Sequence, residues 1–185
     1  MSRPTMSNLI NRLRALIGDQ DSSCYSWSDD ELQGFFDEQV SYQDTLFLSP
    51  KPNSGIGGTL LYQVFEAPYG YWEDDITLQN ASFTPLTPSN IDNMVGRWKF
   101  STSESGGVYL SGKTYDLYSV AVSVLEAWAV RLKGEFDFAP EAGQSFKRSQ
   151  QSQTLMAIAD SYREKCRPRV ISMRRDDIDK NDYSF

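Results

Sequence analysis

The sequence has no histidine in 185 residues and only two cysteines, Cys24 and Cys166. Histidine is the side chain most used for proton transfer near neutral pH and the commonest zinc and copper ligand. The two cysteines lack the Cys-x-x-Cys spacing of metal and redox sites, which indicates free thiols; a long-range disulfide between them is the alternative. These absences argue against catalysis, so we expect no enzyme activity, no cofactor and no bound metal.

Long apolar runs are also missing. No run reaches the roughly 18 residues of a membrane span, and no signal-peptide core follows Met1. We therefore expect a protein that makes no membrane contact and is synthesised in the cytoplasm. The net charge of −7 predicts that the body of the protein repels nucleic acid.

Two helices are predicted in the first 44 residues. Apolar residues at helical spacing predict a helix over residues 6–17, with Gly18 at its end and with Arg12 and Arg14 off the apolar stripe. Ser28 followed by Glu31 has the spacing of a capping box, which predicts that a second helix begins directly after Ser28. We expect these two helices to form a hairpin.

The character of the sequence changes between residues 45 and 113. This part is rich in Gly, Pro, Ser and aromatic residues, and its apolar period falls toward two. The pattern predicts strands at residues 59–65, 76–78, 95–102 and 108–110. The turn Ser105-Gly106-Gly107 predicts a hairpin between the last two of these strands.

Two longer helices are predicted after the strands, over residues 115–133 and about 145–166. The whole pattern predicts an α+β fold. Its core is a four-helix unit of two helical hairpins, residues 1–44 and 114–168, which pack as one domain. An antiparallel β-rich segment, residues 45–113, is inserted between them, and residues 169–185 form an extended C-terminal docking tail.

The acidic run Glu73-Asp74-Asp75 is a candidate ligand site, because carboxylate oxygens bind calcium. However, EF-hand spacing is absent, and adjacent residues in a strand point to opposite faces. We therefore interpret the run as the solvated beginning of a strand.

Aromatic side chains are concentrated in the β-rich segment and could form a contact surface. A monomeric module that binds carbohydrate or peptide through this surface is the alternative function. At alternating spacing, however, such residues are more often part of a sheet core. The residues concerned are Tyr69, Tyr71, Trp72, Trp98 and Tyr109.

Basic residues accumulate at the C-terminal end of the chain, from Arg163 and Lys165 onward. Beyond Pro168 no helix remains for these charges to stabilise, and apolar residues alternate with them. We predict that this tail docks onto a partner as an added strand or short helix. The predicted docking residues are Arg167, Arg169, Val170, Ile171, Met173, Arg174, Arg175, Tyr183 and Phe185.

Three parts of the sequence resemble the head–tail connector, or adaptor, proteins of tailed-phage necks. The first is Leu-Ile-Asn-Arg-Leu-Arg-Ala-Leu-Ile-Gly-Asp (residues 9–19) followed by Trp-Ser-Asp-Asp-Glu-Leu (residues 27–32). The second is Tyr-Asp-Leu-Tyr (115–118), through Leu-Glu-Ala-Trp-Ala (125–129), with Phe-Asp-Phe (136–138). The third is Ser-Gln (149–150) leading to Tyr-Arg (162–163) and Arg-Pro (167–168).

The resemblance implies a structural virion protein of the neck. It implies a homo-oligomeric ring of about twelve copies beneath the portal, through which double-stranded DNA passes without sequence-specific contacts. The portal is then the partner above, and a stopper or tail protein is the partner below. In this arrangement the C-terminal tail docks into the portal, and Lys147, Arg148 and Gln151 face the channel or a neighbouring subunit. The β-rich segment departs from the smaller adaptors, which are nearly all helical.

Overall fold

Helices lie toward both ends of the chain and strands lie between them. The computed structural model describes residues 2–55, 58–133 and 148–168. The helices are α1 (Ser7–Ile17), α2 (Asp29–Asp37), α3 (Leu117–Lys133) and α4 (Arg148–Arg163), and a 3₁₀ turn (Pro4–Met6) precedes α1. The strands are β1 (Ser41–Phe47), β2 (Ser49–Ser54), β3 (Leu60–Glu66), β4 (Thr77–Asn80), β5 (Asn90–Asp92), β6 (Arg97–Lys99) and β7 (Val108–Thr114).

The local signals for the first two helices are confirmed. Gly18 ends α1 in the left-handed region at φ 79°, where its N–H donates to the carbonyl of Arg14. At the start of α2 the Ser28 hydroxyl accepts from the Glu31 N–H, and the Glu31 carboxylate accepts from the Ser28 N–H. This is the capping box that the sequence predicts.

Among the described residues, no helix is both long enough and apolar enough to cross a membrane.

The predicted four-helix core of two helical hairpins is wrong. The described residues form an α+β fold with four helices and two antiparallel sheets, one of three strands and one of four. The helices α1 and α2 are only 11 and 9 residues long, and both pack mainly against α3 rather than against each other. Only α3 and α4 pack extensively along one another. The reason for the error is that apolar periodicity identifies the buried face of a helix but not the element that covers it.

The strands form two antiparallel sheets. The first sheet has the order β1-β7-β4, and the second has the order β2-β3-β6-β5. The predicted hairpin across residues 105–107 is wrong, because β6 belongs to the second sheet and β7 to the first. The strands β1 and β2 were not predicted. Most of their side chains are exposed on both faces, so the alternation that marks a half-buried strand is absent.

Two hydrophobic cores result from this arrangement. The helical core contains side chains from all four helices, with Leu13, Phe36 and Leu125 among its fully buried members. The β core lies between the sheets and contains Trp72 and Trp98. The chain passes between the cores at residues 70–73 and 114–116. There Trp72 forms a β-bridge with Thr114, and the N–H of Tyr115 donates to the carbonyl of Tyr71.

Candidate docking site

A cleft of about 680 Å³ opens where the two cores meet, beside the last residues of the chain that the structure describes. It is lined by the start of β1, by the loop at residues 68–71, by the start of α3 and by the residues that follow α4. The C-terminal tail of residues 169–185 begins directly after Pro168, which lines this cleft. The cleft therefore lies beside the last described residue before the predicted docking tail.

Arg167 is held at this cleft by four contacts. Its guanidinium donates from Nη2 to the carbonyl of Gly70 (2.8 Å) and from Nη1 to the hydroxyl of Thr114 (3.2 Å). Its guanidinium carbon lies 4.8 Å from the centre of the Tyr69 ring, a cation–π contact. Its backbone N–H donates to the Asp116 carboxylate (2.6 Å). We call this set of contacts the Arg167 clamp.

The Arg167 clamp depends on features of the fold that the sequence around Arg167 does not contain. Gly70 lies so close to the chain at Met94 that an added Cβ would be 2.1 Å from the Met94 carbonyl oxygen, so only glycine fits there. Thr114 is the buried last residue of β7. Burial lowers the pKa of Arg167, and the charge of Asp116 opposes this shift. The result is a partly desolvated cation that fixes the end of α4 to both cores.

The other basic residues at the end of α4 also bind within the fold. Arg163 forms ion pairs with Glu126 and Asp160. The Lys165 ammonium lies 5.7 Å from the centre of the Tyr118 ring and 5.5 Å from that of Tyr162. The structure therefore brings the first three residues of the basic cluster onto the body of the protein.

The remaining predicted site residues are placed only in part. Arg148 begins α4, and Gln151 is exposed on its first turn. Lys147 lies outside the described residues, and so do the tail residues Arg169, Val170, Ile171, Met173, Arg174, Arg175, Tyr183 and Phe185. Docking of the tail to a portal and the channel or intersubunit role of the α4 residues stay predictions.

The interpretation of the acidic run as a solvated strand start is wrong for Glu73, which is fully buried. Its carboxylate accepts from Thr5 Oγ1 (2.6 Å), from the Tyr115 hydroxyl (2.7 Å) and from Arg3 Nε (2.9 Å). Burial alone would raise the pKa of Glu73, but these hydrogen bonds outweigh it and hold the pKa below the usual range. Glu73 thus ties the N-terminal segment to the start of α3.

The neighbouring acidic residues also have structural partners. The Asp74 carboxylate accepts from the side-chain amides of Asn8 and Asn93, and Asp75 forms an ion pair with Lys113. Within the described ranges, no group of three or more Cys, Asp or Glu side chains is arranged to hold a metal ion.

Arg14 is a second polar residue whose role the sequence did not indicate. It is only 3% exposed, although it lies off the apolar stripe of α1. Its guanidinium binds the carboxylates of Asp19 (2.7 Å) and Asp29 (2.6 Å) and the carbonyl of Trp27 (2.8 Å). These contacts join the end of α1 to the start of α2, and no local sequence signal marks them.

Of the predicted aromatic contact residues, the two tryptophans are buried, while Tyr69, Tyr71 and Tyr109 are partly exposed. Trp72 and Trp98 are in the β core, with ring centres 6.2 Å apart in an edge-on arrangement. Tyr69 stacks on Trp72 and also contacts Arg167. The two tryptophans therefore offer no open ring face to a carbohydrate or peptide.

Comparisons with protein-family models, with curated proteins and with solved structures found no match. The resemblance to phage adaptors therefore stays a prediction from the residues that carry it.

Proposed function

We propose that this chain is a structural protein of a tailed-phage neck, a head–tail adaptor that assembles as a ring beneath the portal. In this role it binds the portal through its C-terminal tail and offers a platform to stopper or tail proteins. DNA passes through the ring without sequence-specific contacts. The proposal gives the protein no catalytic role.

The observation that carries the proposal is the Arg167 clamp. A docking tail binds more tightly when its base is fixed, because ordering freely rotating residues on binding has an entropic cost. The clamp fixes the chain at Arg167, immediately before the basic and apolar residues of the tail. The tail therefore begins at a defined point on the folded body, as a portal anchor requires.

The charge distribution agrees with this role. The chain carries a net charge of −7, and the described cations Arg163, Lys165 and Arg167 contact the fold itself. A body of this kind offers little attraction to the DNA backbone, which suits a channel that DNA must pass without being held. The exposed residue Gln151 adds a polar, uncharged side chain to the predicted channel or intersubunit face.

The sheets supply a surface for partners other than the portal. Strand β1 lies at the edge of the first sheet, and its side chains Tyr42 and Phe47 are 65% and 53% exposed. An edge strand has free backbone groups along one side, and exposed aromatic side chains are common at protein interfaces. We assign this edge to the stopper or tail protein that lies below the ring.

The experiment is a pull-down with the portal protein of the same phage. Three forms of the chain are compared: the full-length chain, a chain that ends at Pro168, and the full-length Arg167→Ala variant. We expect the full-length chain to be retained, the truncated chain to be lost, and Arg167→Ala to bind more weakly. Arg12→Ala, which removes an exposed cation on α1, is the control and should bind as the full-length chain does.

The possible results separate the parts of the proposal. If the truncated chain binds as well as the full-length chain, the adaptor function survives but the anchor lies in the helices. If no form binds, the adaptor function is overturned. Circular dichroism of each form must first show unchanged helix content, because a misfolded variant would also fail to bind.

A further inference from the structure

Helix α2 contains two residues that are poor choices for the helix itself. Gly34 lies in its interior, where glycine costs about 0.5–1 kcal/mol relative to alanine. An added Cβ at Gly34 would have nothing within 4 Å, so internal packing does not require a glycine. Glu38 caps the C-terminus, where the helix dipole disfavours a negative charge, and the last turn has no basic residue. Residues that weaken their own element without an internal reason indicate a function outside it.

These residues line a groove of about 250 Å³ on the outer face of α2, together with Trp27, Glu31 and Phe35. Trp27 is only 8% exposed, and its indole N–H has no hydrogen-bond acceptor among the described residues. The groove is therefore lined by two aromatic side chains and by Gly34, with a glutamate toward each end of α2.

The two glutamates have a defined spacing along α2. Glu31 and Glu38 are seven residues apart, so their Cα atoms are separated by about 10.5 Å along the axis, and the Glu31 carboxylate also accepts from Ser28 in the capping box. Gly34 lies between them on the same face. A partner that fits must place one small or medium apolar side chain between two cations about 10 Å apart.

The outer face of the second sheet has this arrangement. Val64 on β3 is paired with Lys51 on β2 and with Lys99 on β6. Directly paired residues of antiparallel strands point to the same face. The next pair, Phe65 with Trp98, is buried, so the row with Val64 faces outward, and Lys51 and Lys99 are exposed. Two strand spacings separate the lysines by about 9.6 Å.

The surface around this row is available to a partner. A cavity of about 460 Å³ is lined by Lys51, Asn53, Val64, Glu66 and Arg97. Lys51 lies 3.3 Å from Glu66, which also binds Arg97. Lys99 has no ion-pair partner among the residues that the structure describes. We call Lys51, Val64 and Lys99 the lysine row.

We propose that the α2 groove of one copy binds the lysine row of a second copy. Glu31 and Glu38 pair with the two lysines, and Val64 enters the groove over Gly34. The contact joins two different surfaces of the same chain, so it is heterologous and can close into a ring. The placing of this contact within a ring rests on the proposed adaptor function. Self-association through the contact can be tested independently of that function.

The direct test is zero-length cross-linking with a carbodiimide, which joins a carboxylate to an ammonium group that it touches. Full-length chains of two isotopic compositions are mixed, so that links between copies are distinguished from links within one copy. We expect a link from Glu38 of one copy to Lys99 or Lys51 of another. The reaction is run on the concentrated free chain and on the chain bound to portal.

Charge reversal tests the pairing. Glu38→Lys and Lys99→Glu should each reduce self-association in sedimentation velocity, and the double variant should restore it. Glu164→Lys makes the same charge change at another exposed position and should associate as the original chain does. Failure of the double variant to recover any association would overturn the pairing of Glu38 with Lys99.

Substitution of Gly34 tests the groove. Gly34→Leu should abolish association by filling the groove, while its melting temperature does not fall, because an added Cβ meets nothing within 4 Å and leucine has a higher helix propensity than glycine. A Gly34→Leu variant that associates normally overturns the proposal.

Portal binding without a link between copies overturns this contact and leaves the adaptor function standing. A link between copies of the free chain, without portal binding, supports this contact and removes the adaptor function. If the chain neither links nor binds the portal, both proposals are wrong.

Discussion

The helical core and the β core are stabilised in different ways. The helical core is mostly aliphatic, and buried charge networks lie at its margins, around Glu73 and around Arg14. The β core is smaller and is dominated by large aromatic side chains, while the ion pair of Glu66 with Arg97 lies on its exposed face. In the helical region, buried polar contacts hold short segments in place. In the β region, the packing of a few large aromatic rings holds the two sheets together.

This difference explains how two short N-terminal helices keep a fixed position. The helices α1 and α2 are too short to be stable alone, because helix nucleation is costly. The Glu73 network joins the N-terminal segment to distant parts of the chain, and the Arg14 network joins α1 to α2, both through directional hydrogen bonds. The sheets need no such contacts, since backbone pairing already sets their register.

The largest expected effect comes from Trp98→Ala in the β core. Trp98 is fully buried, contacts Trp72 and donates from its indole N–H to Asn93 (2.9 Å). Removing so large a buried side chain should lower the free energy of unfolding by about 4 kcal/mol. Urea unfolding followed by far-UV circular dichroism measures this. Tyr42→Ala, at an exposed aromatic residue of β1, is the control and should change the stability by less than about 0.5 kcal/mol.

Next in size is Glu73→Ala, which removes the centre of a buried network in the helical region. Arg3, Thr5 and Tyr115 would lose their shared acceptor, and we expect a loss of about 3 kcal/mol. The matched variant on the β side is Glu66→Ala, which breaks an exposed ion pair and should cost no more than about 1 kcal/mol. Equal losses for the two variants would contradict the contrast between the regions.

A smaller effect is expected at the junction of the two cores. Gly70→Ala would place a Cβ against the backbone at Met94, and the forced shift should cost about 2 kcal/mol. The same change should loosen the Arg167 clamp, because the Gly70 carbonyl accepts from Arg167. Gly34→Ala is the control; it adds a methyl group in open space and should raise the stability by about 0.5–1 kcal/mol. Thermal unfolding of both variants decides whether glycine is needed at position 70 but not at position 34.

The sequence predicted those features that depend on neighbouring residues. The capping box of Ser28 with Glu31 and the end of α1 at Gly18 need only local chemistry, and both were found as expected. It failed where the partner is distant. Glu73 binds Arg3 across 70 residues of chain, and Arg167 binds Gly70 across 97. Burial of such groups follows from tertiary contacts that no local pattern contains.

The same reasoning explains the errors in the sheets and in the helical core. The segment 105–107 has good turn residues, but the chain uses it to pass from the second sheet to the first. Turn chemistry indicates a change of direction and does not specify which strands pair. Likewise, the apolar spacing located helix α1, but the sequence did not show that α1 and α2 both meet α3. A docking role for Arg167 was predicted from its charge. The Arg167 clamp could not be predicted, because its partners Gly70 and Thr114 are distant in the sequence.

The smallest effect is on the pH dependence of stability. The pKa of Glu73 in the folded protein lies below its ordinary value of 4.5, because hydrogen bonds from Thr5, Tyr115 and Arg3 outweigh the opposing effect of burial. The folded state thus binds this proton less tightly than the unfolded state does. The resulting stabilisation is complete above about pH 4.5 and is lost as the pH falls through the lower, folded-state pKa. Urea unfolding at a series of pH values should therefore show that the original chain loses more stability in acid than Glu73→Gln does.

Hydrogen bonding to Arg97 also lowers the pKa of Glu66. Because Glu66 is partly exposed, Glu66→Gln should change the pH profile less than Glu73→Gln does. Profiles that Glu66→Gln alters as strongly would show that burial of the network adds nothing to the linkage.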